Sequence, residues 1–136
     1  PPDHLLFLAN ELLRGPGANH RASARVLYGA VCAFRPAGGL EPEYGLTYNI
    51  SREGLYVRTL DPPNRGATLW LELRPPGERQ AVHLRGECVW VKKADRPGGA
   101  TPPGFGVRLQ LEACPPEDLA AYHRAYDALQ AEQPLH

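Results

Sequence analysis

Proline and glycine interrupt this chain at near-regular intervals, and that punctuation limits the fold more than any other feature. Fourteen Gly and fifteen Pro fall among 136 residues, grouped at Gly15-Pro16-Gly17, Pro36 to Gly45, Asp61 to Gly66, Arg74 to Gly77, Arg96 to Gly106 and Pro115-Pro116. Proline cannot donate to a strand ladder and glycine weakens regular structure, so each group reads as a break. The apolar stretches between the breaks are strand-sized. Evenly spaced short strands with turn signals predict an all-β barrel or sandwich. A chain of this length, 43% hydrophobic, supports one domain with a modest core.

Six strands are expected. Arg25 to Phe34 is rich in Val, Leu, Tyr and Ala; Gly45 to Ile50 and Leu55 to Thr59 follow. In Thr68 to Arg74, Leu69, Leu71 and Leu73 alternate with Trp70, Glu72 and Arg74, a period of two with one wet face. Ala81 to Lys92 places Val82, Leu84, Gly86, Cys88 and Trp90 on one face, with His83, Arg85 and Glu87 on the other. Phe105 to Leu111 alternates Phe105, Val107, Leu109 and Leu111 against Arg108 and Gln110. Two helices flank the strands. Leu5, Leu8 and Leu12 predict a short one over residues 4–13, stopped by Gly15-Pro16. Pro115-Pro116-Glu117-Asp118 opens another, with Leu119, Tyr122, Tyr126 and Leu129 on one apolar stripe, fraying near Gln133-Pro134.

The formal net charge is zero, which excludes a strongly basic nucleic-acid coat. Its distribution is uneven: residues 1–13 carry −2, residues 14–108 carry +6 and residues 109–136 carry −4. Thirteen of the fifteen basic residues are Arg, the better fork for anions, although Arg-rich usage also follows from a GC-rich genome. Three widely spaced Cys make neither a disulfide framework nor a zinc site, which fits a reducing cytoplasm. No apolar run spans a membrane, and no signal peptide is visible. With no Met in the chain, the expectation is a domain of a longer protein, with residues 1–19 as helix and linker and residues 20–132 as the folded unit.

Catalysis has little support. His4, His20, His83, His123 and His136 are scattered, without metal-ligand spacing to Cys or carboxylate. Cys32 and Cys88 lie in apolar strands and read as inert buried thiols, and Cys114 precedes a proline pair. There is no phosphate-binding Gly-rich loop with Lys and no nucleophile elbow. The expectation is a protein that is not an enzyme, with no cofactor and no metal.

Two short motifs remain. Arg21-Ala22-Ser23-Ala24-Arg25 places two arginines four apart after a Gly-rich segment. Such a pair offers forks to phosphate oxygens and flat faces to a base, or is simply two solvated side chains at a strand start. Asn49-Ile50-Ser51-Arg52-Glu53-Gly54 reads either as an ordinary hairpin turn or as a platform. The platform would project the Asn49 amide and the Ser51 hydroxyl, with Gly54 allowing close approach.

In this order, R-x-x-x-R followed by [D/N]-x-S-x-x-G resembles the PilZ domain, the bacterial receptor module for cyclic di-GMP. Gly54-Leu55-Tyr56-Val57-Arg58-Thr59, Gly86 to Val91 and Gly104 to Leu109 also resemble strands of that family, so the likeness spans roughly residues 20–130. The resemblance implies a six-stranded antiparallel β-barrel flanked by a helix. It implies that Arg21 and Arg25 grip phosphates and the guanine Hoogsteen edge, that Asn49 bonds the guanine base, that Ser51 bonds base or phosphate, and that Gly54 leaves room. Asn49 stands where many relatives have Asp, and an amide has one accepting oxygen where a carboxylate has two. His20 bears on how many ligand molecules stack; His20, Arg52 and Arg58 are accessory positions. The expected partners are cyclic di-GMP and an unidentified protein or upstream domain, with no DNA, RNA or membrane. The N-terminal helix is available as a homodimer interface or as a cap on the barrel. The competing reading is an interaction module of the same fold that does not bind the nucleotide. A nucleic-acid-binding barrel would need a cluster of exposed aromatics, for which Trp70 alone is a candidate.

Overall fold

The computed structural model describes residues 23–75, 77–94 and 101–132. The expected helix over residues 4–13, together with His20 and Arg21, lies outside the described residues.

Seven strands form one antiparallel sheet: β1 (Val26–Leu27), β2 (Val31–Pro36), β3 (Glu43–Ile50), β4 (Gly54–Arg58), β5 (Thr68–Leu73), β6 (Val82–Lys92) and β7 (Gly104–Leu109). The order β3-β2-β5-β6-β7-β4 returns to β3 through a further β3–β4 pairing, which closes a six-stranded barrel; β1 pairs beside the end of β3. The family likeness implied this architecture. A 3-10 turn at Leu111–Ala113 leads into helix α1 (Pro116–Glu132). Glu117 and Asp118 sit in its first turn, where carboxylates complement the helix dipole.

Alternation builds the core. Leu69, Leu71 and Leu73 point inward from β5, Val82 and Leu84 from β6, and Phe105, Val107 and Leu109 from β7. Phe34 and Phe105 meet edge to face with ring centroids 4.8 Å apart. The walls approach closely where two glycines stand. A Cβ on Gly86 would lie 2.4 Å from Val107 Cγ1, and one on Gly104 would lie 2.0 Å from the Val57 carbonyl oxygen.

Three strand expectations need correction. The first strand breaks at Tyr28–Ala30, and its two parts, β1 and β2, both pair with β3. The cause is buried Thr47, whose hydroxyl accepts the Ala30 N–H (2.8 Å) and donates to the Tyr28 carbonyl, so two of the contacts there run through a side chain while the Tyr28 N–H and the Ala30 carbonyl keep main-chain partners on β3. In β6 a bulge between Cys88 and Trp90 shifts the register. An extra residue reverses which side chains face inward, so Val91 packs on the core while Trp90 lies against Tyr56 outside it. Leu111 belongs to the 3-10 turn rather than to the last strand, and is 39% exposed.

Helix α1 lies against β6 and β1. Tyr122 and Tyr126 of the expected stripe are buried with Ala121 and Ala125, while Leu119 and Leu129 pack at the margin of the core. Cys32, Cys88 and Cys114 are buried free thiols. Burial pushes Cys32 up to about 12 and Cys88 to about 11, so both stay protonated and unreactive at neutral pH.

Candidate functional site

The site forms where β3 turns into β4. Ser51 N–H donates to the Gly54 carbonyl (2.8 Å), and the Ser51 hydroxyl and Gly54 backbone exchange contacts at 3.2 Å. The serine therefore closes its own turn, as hydroxyl-bearing turn residues do. Gly54 opens β4 with an ordinary backbone; the positive-φ glycines among the described residues are Gly38, Gly66 and Gly77. Asn49 and Ser51 are buried rather than projecting, at 1% and 3% exposure.

Residues 23–25 lie over this turn. Arg25 Nη1 donates to Asn49 Oδ1 at 2.7 Å, joining two motifs 24 residues apart. That contact uses the one accepting oxygen of the Asn49 amide; Asn49 Nδ2 is buried and has no hydrogen-bond partner among the described residues. Burial lowers the Arg25 guanidinium to about 10, with Tyr122 and Glu53 partly offsetting the effect, and the group remains charged at neutral pH. Glu53 accepts from both the N–H and the hydroxyl of Ser23. The Ser23 hydroxyl in turn accepts the Arg52 N–H at 2.8 Å.

Helix α1 covers the same place. The Tyr122 hydroxyl donates towards the carbonyls of Ser51 (2.7 Å) and Gly54 (3.1 Å). The Tyr126 hydroxyl donates to the Ala24 carbonyl. His123 Nε2–H donates to the Arg52 carbonyl (2.9 Å), and the Arg52 side chain pairs with Asp127 at 2.7 Å. Burial raises the Tyr122 and Tyr126 phenols, which keeps both as donors.

Of the residues expected to form a site, the structure thus brings together Arg25, Asn49, Ser51, Gly54 and Arg52. Arg58 stands apart at the far end of β4, four residues from Gly54, or about 13 Å along the strand. Ser23, Glu53, His123 and the two tyrosine hydroxyls were not singled out from sequence. A signal for the tyrosines existed: a phenol on the buried stripe of a helix needs a partner for its hydroxyl. Trp70, the candidate stacking residue, lies under guanidinium groups of neighbouring strands, Arg85 at 4.8 Å and Arg35 at 5.8 Å from its centroid. Among the described residues, no group of three or more His, Cys, Asp or Glu is placed to hold a metal ion. No described helix is long and apolar enough to cross a membrane.

A closed six-stranded barrel with one helix across the β3–β4 turn defines the class. Residues 19–124 match the PilZ domain, and the chain belongs to the PilZ domain family. Solved structures share the fold. The inhibitor of motility MotI/DgrA of Bacillus subtilis is 16% identical with a TM-score of 0.62; the match covers 84% of this chain and 53% of that one, so the chain spans about half the length of MotI/DgrA. The PilZ domain of YcgR from Escherichia coli, solved with c-di-GMP, is 15% identical with a TM-score of 0.58, covering 81% and 91%. The PilZ domain of CeSA from a cellulose-synthesizing bacterium is 15% identical with a TM-score of 0.56, covering 79% and 99%. No curated protein matches the chain in sequence.

Proposed function

We propose that this domain is a non-catalytic receptor for cyclic di-GMP and acts in the cytoplasm. Arg21 and Arg25 grip phosphate and guanine, Asn49 reads the base, Ser51 holds the turn in shape, and Gly54 leaves room for the ligand. The observation that carries the reading is the 2.7 Å contact between Arg25 and Asn49, which joins the R-x-x-x-R segment to the N-x-S-x-x-G turn. Family membership and a likeness in fold to a PilZ domain solved with c-di-GMP support it. Arg21 enters on the motif alone. Binding is passed on as a change in how the barrel and its helix meet a neighbouring domain or a partner protein, which requires the ligand to prefer one arrangement.

Calorimetric titration with cyclic di-GMP tests this directly. The unmodified chain should bind, and Arg25→Ala and Asn49→Ala should each weaken binding at least about tenfold, as expected when a hydrogen bond to a charged group is lost. Absence of both heat and thermal shift in the unmodified chain would sink the receptor reading. The barrel would then stand as a protein-interaction module.

A further inference from the structure

We infer that Glu53 and Ser23 form a latch that sets the arginine segment in place before any ligand arrives, which makes Glu53 a positioning residue for nucleotide capture. The inference rests on the receptor reading above and adds residues that lie at unspecified positions of both motifs.

The latch is saturated. Ser23 N–H lies 3.1 Å from Glu53 Oε1 and 3.3 Å from Oε2, the Ser23 hydroxyl lies 3.0 Å from Oε1, and the same hydroxyl accepts the Arg52 N–H. The N–H and the hydroxyl of Ser23 are thus both engaged by the β3–β4 turn, and the hydroxyl also meets Tyr126 of α1. The next two residues are tied elsewhere: the Ala24 carbonyl to Tyr126 on α1, and the Arg25 guanidinium to Asn49 on β3. Three consecutive residues are therefore held by three different parts of the fold.

The chemistry of Glu53 makes this placement informative. A carboxylate beside a site for a dianion opposes binding through its charge, and a surface position offers it water instead. Here it accepts from both donors of one serine and helps keep Arg25 charged against burial. Its contribution is order. Fixing the backbone from Ser23 to Arg25 during folding removes that part of the entropic cost from the binding step.

The test uses the whole chain and cyclic di-GMP as probe, with Glu53→Ala, Glu53→Gln, Ser23→Ala and the Glu53→Ala/Ser23→Ala pair. Glu53→Ala and Ser23→Ala should each weaken binding about tenfold, with the thermal midpoint little changed. Glu53→Gln, which keeps an accepting oxygen for Ser23, should recover most of the affinity. The double variant should be no weaker than the poorer single one, because partners in one contact are not additive. Binding by Glu53→Ala as tight as the parent's, or tighter, would overturn the proposal and cast the carboxylate as a bystander or a competitor of phosphate. Losses that add in the double variant would overturn it too.

Amide exchange read by NMR separates this proposal from the functional one. In the ligand-free chain, Glu53→Ala should speed exchange at Ser23 and Arg52. Unchanged exchange removes the latch whether or not nucleotide binds. Faster exchange in a chain whose parent does not bind nucleotide overturns the receptor reading and the positioning role with it, and leaves a purely structural tie.

Discussion

Phe34, Leu55, Leu71, Leu84 and Phe105 come from five strands of the barrel and meet through apolar surface alone. At the β3–β4 turn, residues 23–25, 51–54 and 122–127 meet instead through hydroxyls, carboxylates and an imidazole directed at backbone groups. In the wall, contacts are non-directional, and energy scales with the area removed from water. In the clamp, each contact has a direction and a named partner, and its net energy is small while the cost of leaving a partner unpaired is larger. The wall can therefore lose a side chain and keep its shape at the expense of stability. The clamp can lose one oxygen at a smaller cost in stability while residues 23–25 shift.

That contrast breaks if substitutions in the two regions act alike. Phe105→Ala, at a fully buried position against Phe34, should cost about 3–5 kcal/mol in urea unfolding. Nucleotide affinity of the folded fraction should not move; an affinity loss there would join the two regions. Tyr122→Phe strips one hydroxyl from the Ser51 and Gly54 carbonyls and should cost about 1–3 kcal/mol. Unlike Phe105→Ala, it should also weaken cyclic di-GMP binding, and unchanged affinity would detach α1 from the site.

Alkaline pH sharpens the contrast from the side of the wall. Cys32 and Cys88 are raised in the fold to about 12 and about 11, above the ordinary thiol value of 9.0. Their contribution is fully present below pH 9 and is lost as pH rises from there through those folded values. At pH 10 the loss should be about 1 kcal/mol per thiol. Urea midpoints at pH 8 and pH 10 measure it, and replacing both thiols with Ala should shrink the difference between them, leaving the part that comes from the buried phenols of Tyr56, Tyr122 and Tyr126. The smallest effect belongs to the outer surface, which is neither wall interior nor clamp. Arg85→Ala removes one guanidinium from above Trp70 and should cost about 0.5–1 kcal/mol, with affinity untouched.

The strands were legible because their signal is local. Leu69, Leu71 and Leu73 declare a buried face within six residues, and no distant partner is needed to read it. The break in the first strand was not legible, because its cause is the Thr47 hydroxyl, which lies 17 residues beyond Ala30. The bulge in β6 escaped for a related reason. It depends on pairing with β7, and plain alternation along the sequence puts Trp90 on the face that Val91 occupies. At the site, the motif spacing pointed to Arg25, Asn49, Ser51 and Gly54, which the fold gathers at one turn. Arg58 looked equally near in sequence, but the straightness of β4 carries it away. Glu53 and Ser23 filled unspecified positions in two motifs, and neither carries meaning until folding brings together residues 30 positions apart. Tyr126 reaches the Ala24 carbonyl across 102 residues, a pairing that no periodicity encodes.

Closure of the barrel also limits how the described sheet could pair with another chain. In the ring β3-β2-β5-β6-β7-β4 each strand is flanked on both sides, and among the described residues only the two-residue β1 borders it on one side. Along the described strands an incoming chain would find no long row of free main-chain donors and acceptors to extend, which disfavours strand addition there and the sheet-to-sheet sticking that open sheets must guard against. Contact with the described sheet is left to side chains. Those of α1 are best placed to report on the turn beneath, since the helix that grips Arg52 and Ala24 on one face offers the other to its surroundings.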